Sequence, residues 1–437
     1  MKKLSIIYQS IDALKPRASN PRTHSKKQVQ QLANSIERFG FTNPVLVDDT
    51  NAIIAGHGRL MAAKQLGMSE VPTVRLSNMT EAEIRAYVIA DNRLAENAGW
   101  DDDLLRIELQ YLTEINFDIE LIGFETAEID IILDGNEIDD NNAADEVPDI
   151  DENAAPITKL GDMWQLGKHR LICGDSTNSE TYQNLMGADK AQAIFTDPPY
   201  NVAIDGHVCG NGKVKHREFA MASGEMSETE FTNFLSQFIK LSIEYSNDGS
   251  LHYICMDWRH MYELIGAGRT QYSELKNICV WNKQNGGMGS LYRSKHELVA
   301  VFKNGTKPHI NNIELGQHGR YRTNVWDYAG VNSFGKNQSD LKLHPTVKPV
   351  AMIADAIKDC TKRNQIVLDP FAGSGSTLIA CEESQRIARC IELDPLYCDV
   401  IIKRWQKLTG KNAVQAKTGM TFAQLATQQA EIVAEAV

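Results

Sequence analysis

Asp197, Pro198, Pro199 and Tyr200 follow, after Thr196, on the apolar run Ala193-Ile194-Phe195, and that order of residue types can do chemistry. The run is β-prone and short, and two prolines, which cannot continue a hydrogen-bond ladder, end it. A carboxylate, a stiffened backbone and an aromatic ring are thereby delivered together at the carboxyl end of a strand, where open α/β sheets bind ligands. The four residues by themselves leave an alternative open: a strand ended by a Pro-Pro turn, with Asp197 serving only as a cap.

Two later stretches weigh against that alternative. Val367-Leu368-Asp369-Pro370-Phe371-Ala372-Gly373-Ser374-Gly375-Ser376-Thr377 reads as a buried strand, a turn of small residues and the entry to a helix over residues 378–384. Glycines there let the backbone approach a ligand closely, and a helix N-terminus attracts negative charge such as a carboxylate. No Gly-Lys-Ser or Gly-Lys-Thr follows, so a kinase or ATPase loop fails at the residue that would carry it. Residues 388–394 (ARCIELD) form a following strand that ends in acids, the place where the hydroxyl pair of a nucleoside ribose would be held.

Taken together, Asp-Pro-Pro-Tyr at 197–200, His-Pro-Thr-Val-Lys-Pro at 344–349, Asp-Pro-Phe-Ala-Gly-Ser-Gly-Ser-Thr at 369–377 and Ile-Glu-Leu-Asp at 391–394 closely resemble the amino-group DNA methyltransferases that use S-adenosylmethionine. The catalytic motif precedes the cofactor motif, as in the beta arrangement of that family. The resemblance covers about residues 156–410. It implies a Rossmann-like α/β domain, S-adenosyl-L-methionine as cofactor, double-stranded DNA as partner, and methyl transfer to the exocyclic amino group of a flipped base. Adenine N6 is favoured, since Asp before Pro-Pro-Tyr is the usual adenine form, and cytosine N4 is the alternative. By motif, Asp197, Pro198, Pro199 and Tyr200 would be catalytic. Phe371, Ala372, Gly373, Ser374, Gly375 and Thr377, with Asp369, would surround the methionine part of the cofactor. Glu392, with Asp394 beside it, would hold the ribose hydroxyls, Lys348 and Pro349 would lie on the carboxylate side, and Asp175 would lie near the adenine ring. No metal is required.

Residues 284–343, the expected target-recognition segment, hold eight basic residues interleaved with Tyr292, Tyr321, Trp326 and Tyr328. That mixture suits phosphate contacts and base readout, and Arg293, Lys295, Arg320 and Arg322 are the candidates for DNA contact.

The elements that must position these motifs can be read along the chain. Residues 1–100 form one small α/β domain: a helix over 26–39 that Gly40 ends, a strand pair at 44–47 and 51–55, the turn Gly56-His57-Gly58-Arg59 into a helix over 60–66, and a strand at 71–76. The order resembles the ParB/sulfiredoxin-like domain over about residues 4–92. Free backbone N–H groups and a guanidinium at such a turn suit a phosphate, so Gly56, His57, Gly58 and Arg59 are a candidate nucleotide-binding turn. The turn departs from the acidic, double-arginine form of partition proteins, and a docking module is the alternative. Residues 80–92 open with a capping-box pattern, residues 101–155 read as short helices followed by an acidic linker, and 411–437 is a tail with a terminal helix. In the second domain, residues 163–166 and 169–172 alternate as a hairpin, 201–226 reads as a mobile loop, and 231–246 as an amphipathic helix. Further strands are expected at 251–256, 277–281 and 297–302. The whole resembles a ParB-domain DNA modification methylase of a prophage or mobile element. The rival from another class is a ParB-like DNA-binding or nucleotide-switch protein with a degenerate methylase half, against which the intact motifs count.

Composition agrees with a protein of two or three domains in 437 residues. No run reaches the length of a membrane span, and residues 1–10 are too short and polar for a signal peptide, so the cytoplasm is expected. Eight cysteines without a CxxC pair imply reduced thiols, and His207, Cys209 and His216 lack a fourth ligand spaced to close a metal site. The net charge of −12 is uneven: residues 107–158 carry sixteen Asp and Glu and no Lys or Arg, so the rest of the chain stands at +4. An acidic segment held away from a basic groove does not argue against DNA. Monomer and homodimer both remain open.

Overall fold

A computed structural model describes residues 4–17, 20–115, 117–134, 143–148, 155–202, 224–283, 291–313, 322–330 and 347–435. The chain divides into two compact units, Met1–Glu137 and Ile138–Val437.

The first unit contains β1 (Ile6–Ser10), α1 (Lys26–Phe39), β2 (Val45–Val47), β3 (Ile53–Ala55), α2 (His57–Gln65), β4 (Glu70–Arg75), α3 (Glu81–Glu96), α4 (Asp102–Glu114) and α5 (Thr126–Asp134). Its sheet has the order β1-β4-β2-β3. Local chemistry sets the ends of these helices. The Ser25 side chain caps α1 at Gln28 N, the left-handed Gly40 closes it onto Ile36 O, and Thr80 and Glu83 complete a capping box on α3. Two features differ from the sequence reading. β1 is an additional strand, paired antiparallel with β4; Ile6, Ile7 and Tyr8 are exposed on it, so no alternation marks it. α2 begins at His57 rather than at residue 60, because Gly56 at φ 100° already turns the chain into the helix.

The second unit contains β5 (Met163–Leu166), β6 (His169–Cys173), α6 (Ser179–Met186), β7 (Ala191–Thr196), α7 (Glu228–Glu244), β8 (Ser246–Met256), α8 (Met261–Arg269), β9 (Glu274–Asn282), β10 (His296–Lys303), β11 (Val325–Asp327), α9 (Val350–Cys360), β12 (Ile366–Asp369), α10 (Ser376–Glu383), β13 (Ile387–Glu392), α11 (Pro395–Thr409), β14 (Val414–Gln415) and α12 (Phe422–Glu435). One sheet of ten strands runs β11-β9-β10-β8-β7-β12-β13-β6-β5-β14. Its centre, β6, β13, β12, β7 and β8, is parallel, so the carboxyl ends of five strands share one edge. Both faces are covered, which is why these strands are largely apolar where they cross the core. Ala193, Phe195 and Val367 pack with residues of α9, α10 and α11, while Ile194 and Leu368 pack with Tyr182 and Leu185 of α6.

The acidic stretch expected as a linker is docked where it is described. Asp145 Oδ1 accepts from Val350 N at 2.9 Å, and Ala144 O accepts from Arg404 Nη2 at 2.7 Å. Pro349, the N-cap of α9, offers no side-chain acceptor, so Asp145 supplies one to the first free N–H of that helix. The seven described cysteines are buried free thiols. Among the described residues no helix is long and apolar enough to cross a membrane.

Candidate active site

β7 ends at Thr196, and the chain leaves the sheet through Asp197, Pro198, Pro199 and Tyr200. Neighbouring strand ends surround this exit. β12 ends at Asp369 and passes through Phe371, Ala372, Gly373 and Ser374 into α10, for which the left-handed Gly375 is the N-cap. β13 ends at Glu392, and β6 leads to Gly174 and Asp175, with Gly174 N held by Glu392 O at 2.9 Å. The parallel register therefore brings together motifs nearly two hundred residues apart. Asn201 clasps the chain beyond Tyr200: it donates to Met226 O at 2.8 Å and accepts from Gly224 N and Met226 N. The remainder of the loop expected over 201–226, including His207, Cys209 and His216, lies outside the described residues.

The glycine turn has one open position. A Cβ at Gly373 (φ 52°) would meet nothing within 4 Å, whereas one at Gly375 would lie 2.9 Å from Ile401 Cγ1. Gly373 N donates to Glu392 Oε2 and Asp394 N to Glu392 Oε1, both at 2.8 Å. Burial, opposed by these two N–H groups, pushes the Glu392 carboxyl up to about 7. Asp394 caps α11 through Leu396 N, and Asp175 accepts from Thr177 N and Oγ1 at 2.7 Å. Asp369 is buried, and its Oδ1 accepts from Thr196 Oγ1 at 2.8 Å and Phe371 N at 3.1 Å. It braces the turn against the end of β7. Arg404 reaches Ser374 O at 3.0 Å from behind, and Phe371 packs edge-on to Phe238.

Lys348, expected on the carboxylate side of the cofactor, has its ammonium bonded to Asp197 Oδ2 and 3.0 Å from Glu297 Oε2. The lysine is 4% exposed, so a lone charge there would be prohibitive and two carboxylates compensate it. Tyr200 completes the cluster: its hydroxyl donates to Asp197 Oδ1 and accepts from Lys348 Nζ at 3.3 Å. Lys283 is bonded to the other side of Glu297. Burial raises Asp197, with Lys348 opposing; burial would raise Glu297 too, but Lys348 and Lys283 hold it down at about 2.

Glu297 and Lys283 were missed by the sequence reading. Glu297 opens β10 opposite Trp281, beside the carboxyl end of β8, and Lys283 follows β9. The available signal was an acid at the head of an apolar strand, which gains meaning only once antiparallel pairing puts that head at the carboxyl edge.

Among the basic candidates, Arg293 and Lys295 lie exposed just ahead of β10, and Arg320 lies outside the described residues. Arg322 is a correction: its guanidinium is held by Asp355 and Asp359, each at 3.0 Å, and by Tyr328 at 2.8 Å. Committed to two carboxylates, it ties β11 to α9 and is not free for a phosphate. In the first unit, Arg59 folds back to Asn43 O at 2.8 Å, and His57 Nε2 accepts from Arg17 N at 3.3 Å.

A doubly covered mixed sheet whose parallel centre gathers a glycine turn, a strand-end acid and Asp-Pro-Pro-Tyr at its carboxyl edge is the fold of an S-adenosylmethionine-dependent methyltransferase. Residues 191–404 match the DNA methylase family model of N6 and N4 enzymes, residues 2–92 the ParB N-terminal domain, and residues 103–160 the ParB-methyltransferase HTH domain. Residues 191–404 are thus an N6/N4 DNA methylase domain and residues 2–92 a ParB N-terminal domain, and S-adenosylmethionine is the methyl donor. The ParB-like nuclease domain-containing protein YnaK of Escherichia coli is 53% identical over 81 residues, 18% of this chain and 93% of that protein. Type II methyltransferase M2.MboI of Moraxella bovis is 24% identical over 223 residues, 49% of this chain and 81% of the relative. A putative DNA modification methylase from Thermus thermophilus, solved with S-adenosyl-L-methionine, is 17% identical. That likeness covers 58% of this chain and 96% of the other at a TM-score of 0.39, too low to bear on function.

Proposed function

We propose that this methylase modifies N6 of an adenine flipped out of double-stranded DNA, with cytosine N4 as the alternative acceptor. The observation that carries the reading is the position of Asp197: a partly exposed carboxylate at the end of β7, beside the Gly373 turn and Glu392. Asp rather than Ser in the first position of that motif favours adenine.

Gly373, open where a side chain would stand, and Glu392, an acceptor suited to hydroxyl donors, fit S-adenosylmethionine at the β12 and β13 ends. When bound, the cofactor supplies an electrophilic methyl group whose bond to sulfur breaks onto sulfur as the amino lone pair attacks. The chain's part is to hold the acceptor. Flipping a base costs a few kcal/mol, and stacking on the Tyr200 ring offsets roughly 1–3 kcal/mol of it. The Asp197 carboxylate and the Pro198 carbonyl then accept the two amino hydrogens. Nitrogen becomes pyramidal, and its lone pair, otherwise delocalised into the ring, is freed. Pro198 and Pro199 fix that carbonyl, so little reorganisation accompanies the positive charge that grows on nitrogen. Arg293 and Lys295, exposed beside the site, serve as phosphate contacts.

Mass analysis of nucleosides from DNA treated with pure protein and S-adenosylmethionine tests the reading. N6-methyladenine is the expected product. N4-methylcytosine alone would move the acceptor to cytosine, and neither product on any DNA would overturn the enzyme reading. For the first unit we read a docking module rather than a nucleotide site, since Arg59 is turned back onto Asn43 O.

A further inference from the structure

The proposed roles of Asp197, Pro198 and Tyr200 leave two charged groups of the same cluster without a task. Lys348, almost fully buried, places a positive charge beside the carboxylate that is to receive the amino hydrogens. By itself this is unfavourable: methyl transfer builds positive charge on the acceptor nitrogen, and a neighbouring ammonium opposes it. Glu297 answers that charge. Its Oε2 stands 3.0 Å from Lys348 Nζ and 3.3 Å from the Tyr200 hydroxyl, and its side chain is 13% exposed. Lys283, bonded to Glu297 from the solvent side and 29% exposed, is screened far more than Lys348. Trp281 walls the group, with both ammonium groups within 6 Å of its ring centre (4.6 Å and 5.9 Å). Both Asp197 oxygens are already engaged, one by Tyr200 and one by Lys348, so the carboxylate is fixed in direction before any base arrives.

We propose that Glu297 is a positioning residue for methyl transfer: by sharing the Lys348 ammonium with Asp197, it holds the lysine in place and cancels its charge where positive charge must develop. The inference rests on the reading of Asp197 as the hydrogen acceptor. Glu297 touches neither base nor cofactor. It acts through Lys348, which orients Asp197, and through Tyr200, whose hydroxyl lies between the two carboxylates.

The test is single-turnover methyl transfer across pH on the full-length protein, with S-adenosylmethionine affinity measured alongside. Glu297→Gln should bind the cofactor normally, transfer at least tenfold more slowly, and shift the acid limb of the rate profile to lower pH. Its lost negative charge had raised Asp197, and Lys348 then serves Asp197 alone. Lys348→Met should shift the acid limb the opposite way, since Asp197 loses its cation. Glu297→Asp should recover part of the rate. A structural role would move neither limb. Normal transfer by a folded Glu297→Gln, or limbs moving together in the two variants, would overturn the proposal. If Glu297→Gln fails to fold, Lys348→Met still decides: an unmoved acid limb would overturn it. Should Asp197→Asn transfer at the normal rate, the reading of Asp197 falls first; should only Glu297→Gln do so, this proposal falls alone.

Discussion

α2 and α10 begin in the same way and sit in different surroundings. Each follows a strand, each is entered through a left-handed glycine, Gly56 at φ 100° and Gly375 at φ 85°, and neither has a side-chain cap. At α10 the turn stands among the ends of parallel strands, which bring Asp197, Asp369 and Glu392 to it, and Gly373 keeps an open side. At α2 the equivalent space is filled from within. Arg59 bonds Asn43 O, His57 takes the Arg17 N–H, and a Cβ at Gly58 would meet Leu32 at 3.0 Å and His24 at 3.1 Å. A glycine-opened helix is thus a local device, and the strand ends beside it decide whether it becomes a site.

The contrast can be broken most forcefully at the chemistry. Asp197→Asn should keep cofactor and DNA binding and slow single-turnover transfer by about 10² or more, the scale of one preorganised electrostatic partner. A near-normal rate would return Asp197 to a strand cap and leave the two turns equivalent.

The glycines themselves come next. Gly375→Ala combines a left-handed backbone with a Cβ 2.9 Å from Ile401 in a buried turn, and should cost roughly 2–3 kcal/mol in urea unfolding. At Gly56 the nearest atom, at 3.1 Å, is the flexible end of Arg59, so Gly56→Ala should cost about 1–2 kcal/mol, the backbone term alone. A reversed ranking would contradict the packing described for α10.

Glu392 sharpens the comparison through pH. With its carboxyl raised to about 7 by burial, it is protonated below that pH in the free enzyme, while hydroxyl donors favour its ionised form. Cofactor affinity measured by calorimetry should therefore rise roughly tenfold from pH 6 to pH 8, and Glu392→Gln should flatten the dependence. The sign is opposite for the stability of the free enzyme. A carboxyl raised on folding holds its proton more tightly when folded, so ionising it costs stability as pH climbs from the ordinary carboxylate range through 7.

The smallest effect is expected in the first unit. Arg59→Ala should change any nucleotide affinity by no more than about twofold, as a substitution away from a site does. A loss of tenfold or more would make α2 a nucleotide site and abolish the contrast.

What the sequence determined by itself is what lies within a few residues: the strand that stops at Pro198, the Gly373–Gly375 turn, the strand that ends at Glu392, the Thr80–Glu83 capping box and the Gly40 stop. Periodicity, caps and backbone permissiveness act over one or two turns of chain, and so they are legible without a fold. Tertiary structure alone decided the rest. Lys348 meets Asp197 across 151 residues and Glu297 meets Tyr200 across 97. Arg322 was read as a phosphate contact and is spent on Asp355 and Asp359, and the acidic stretch around Asp145, read as a linker, caps α9. A lysine or an acid in sequence has many available partners. Only the order and direction of the strands, which put the head of β10 beside the carboxyl end of β8 and one strand away from that of β7, fix which charge is buried against which.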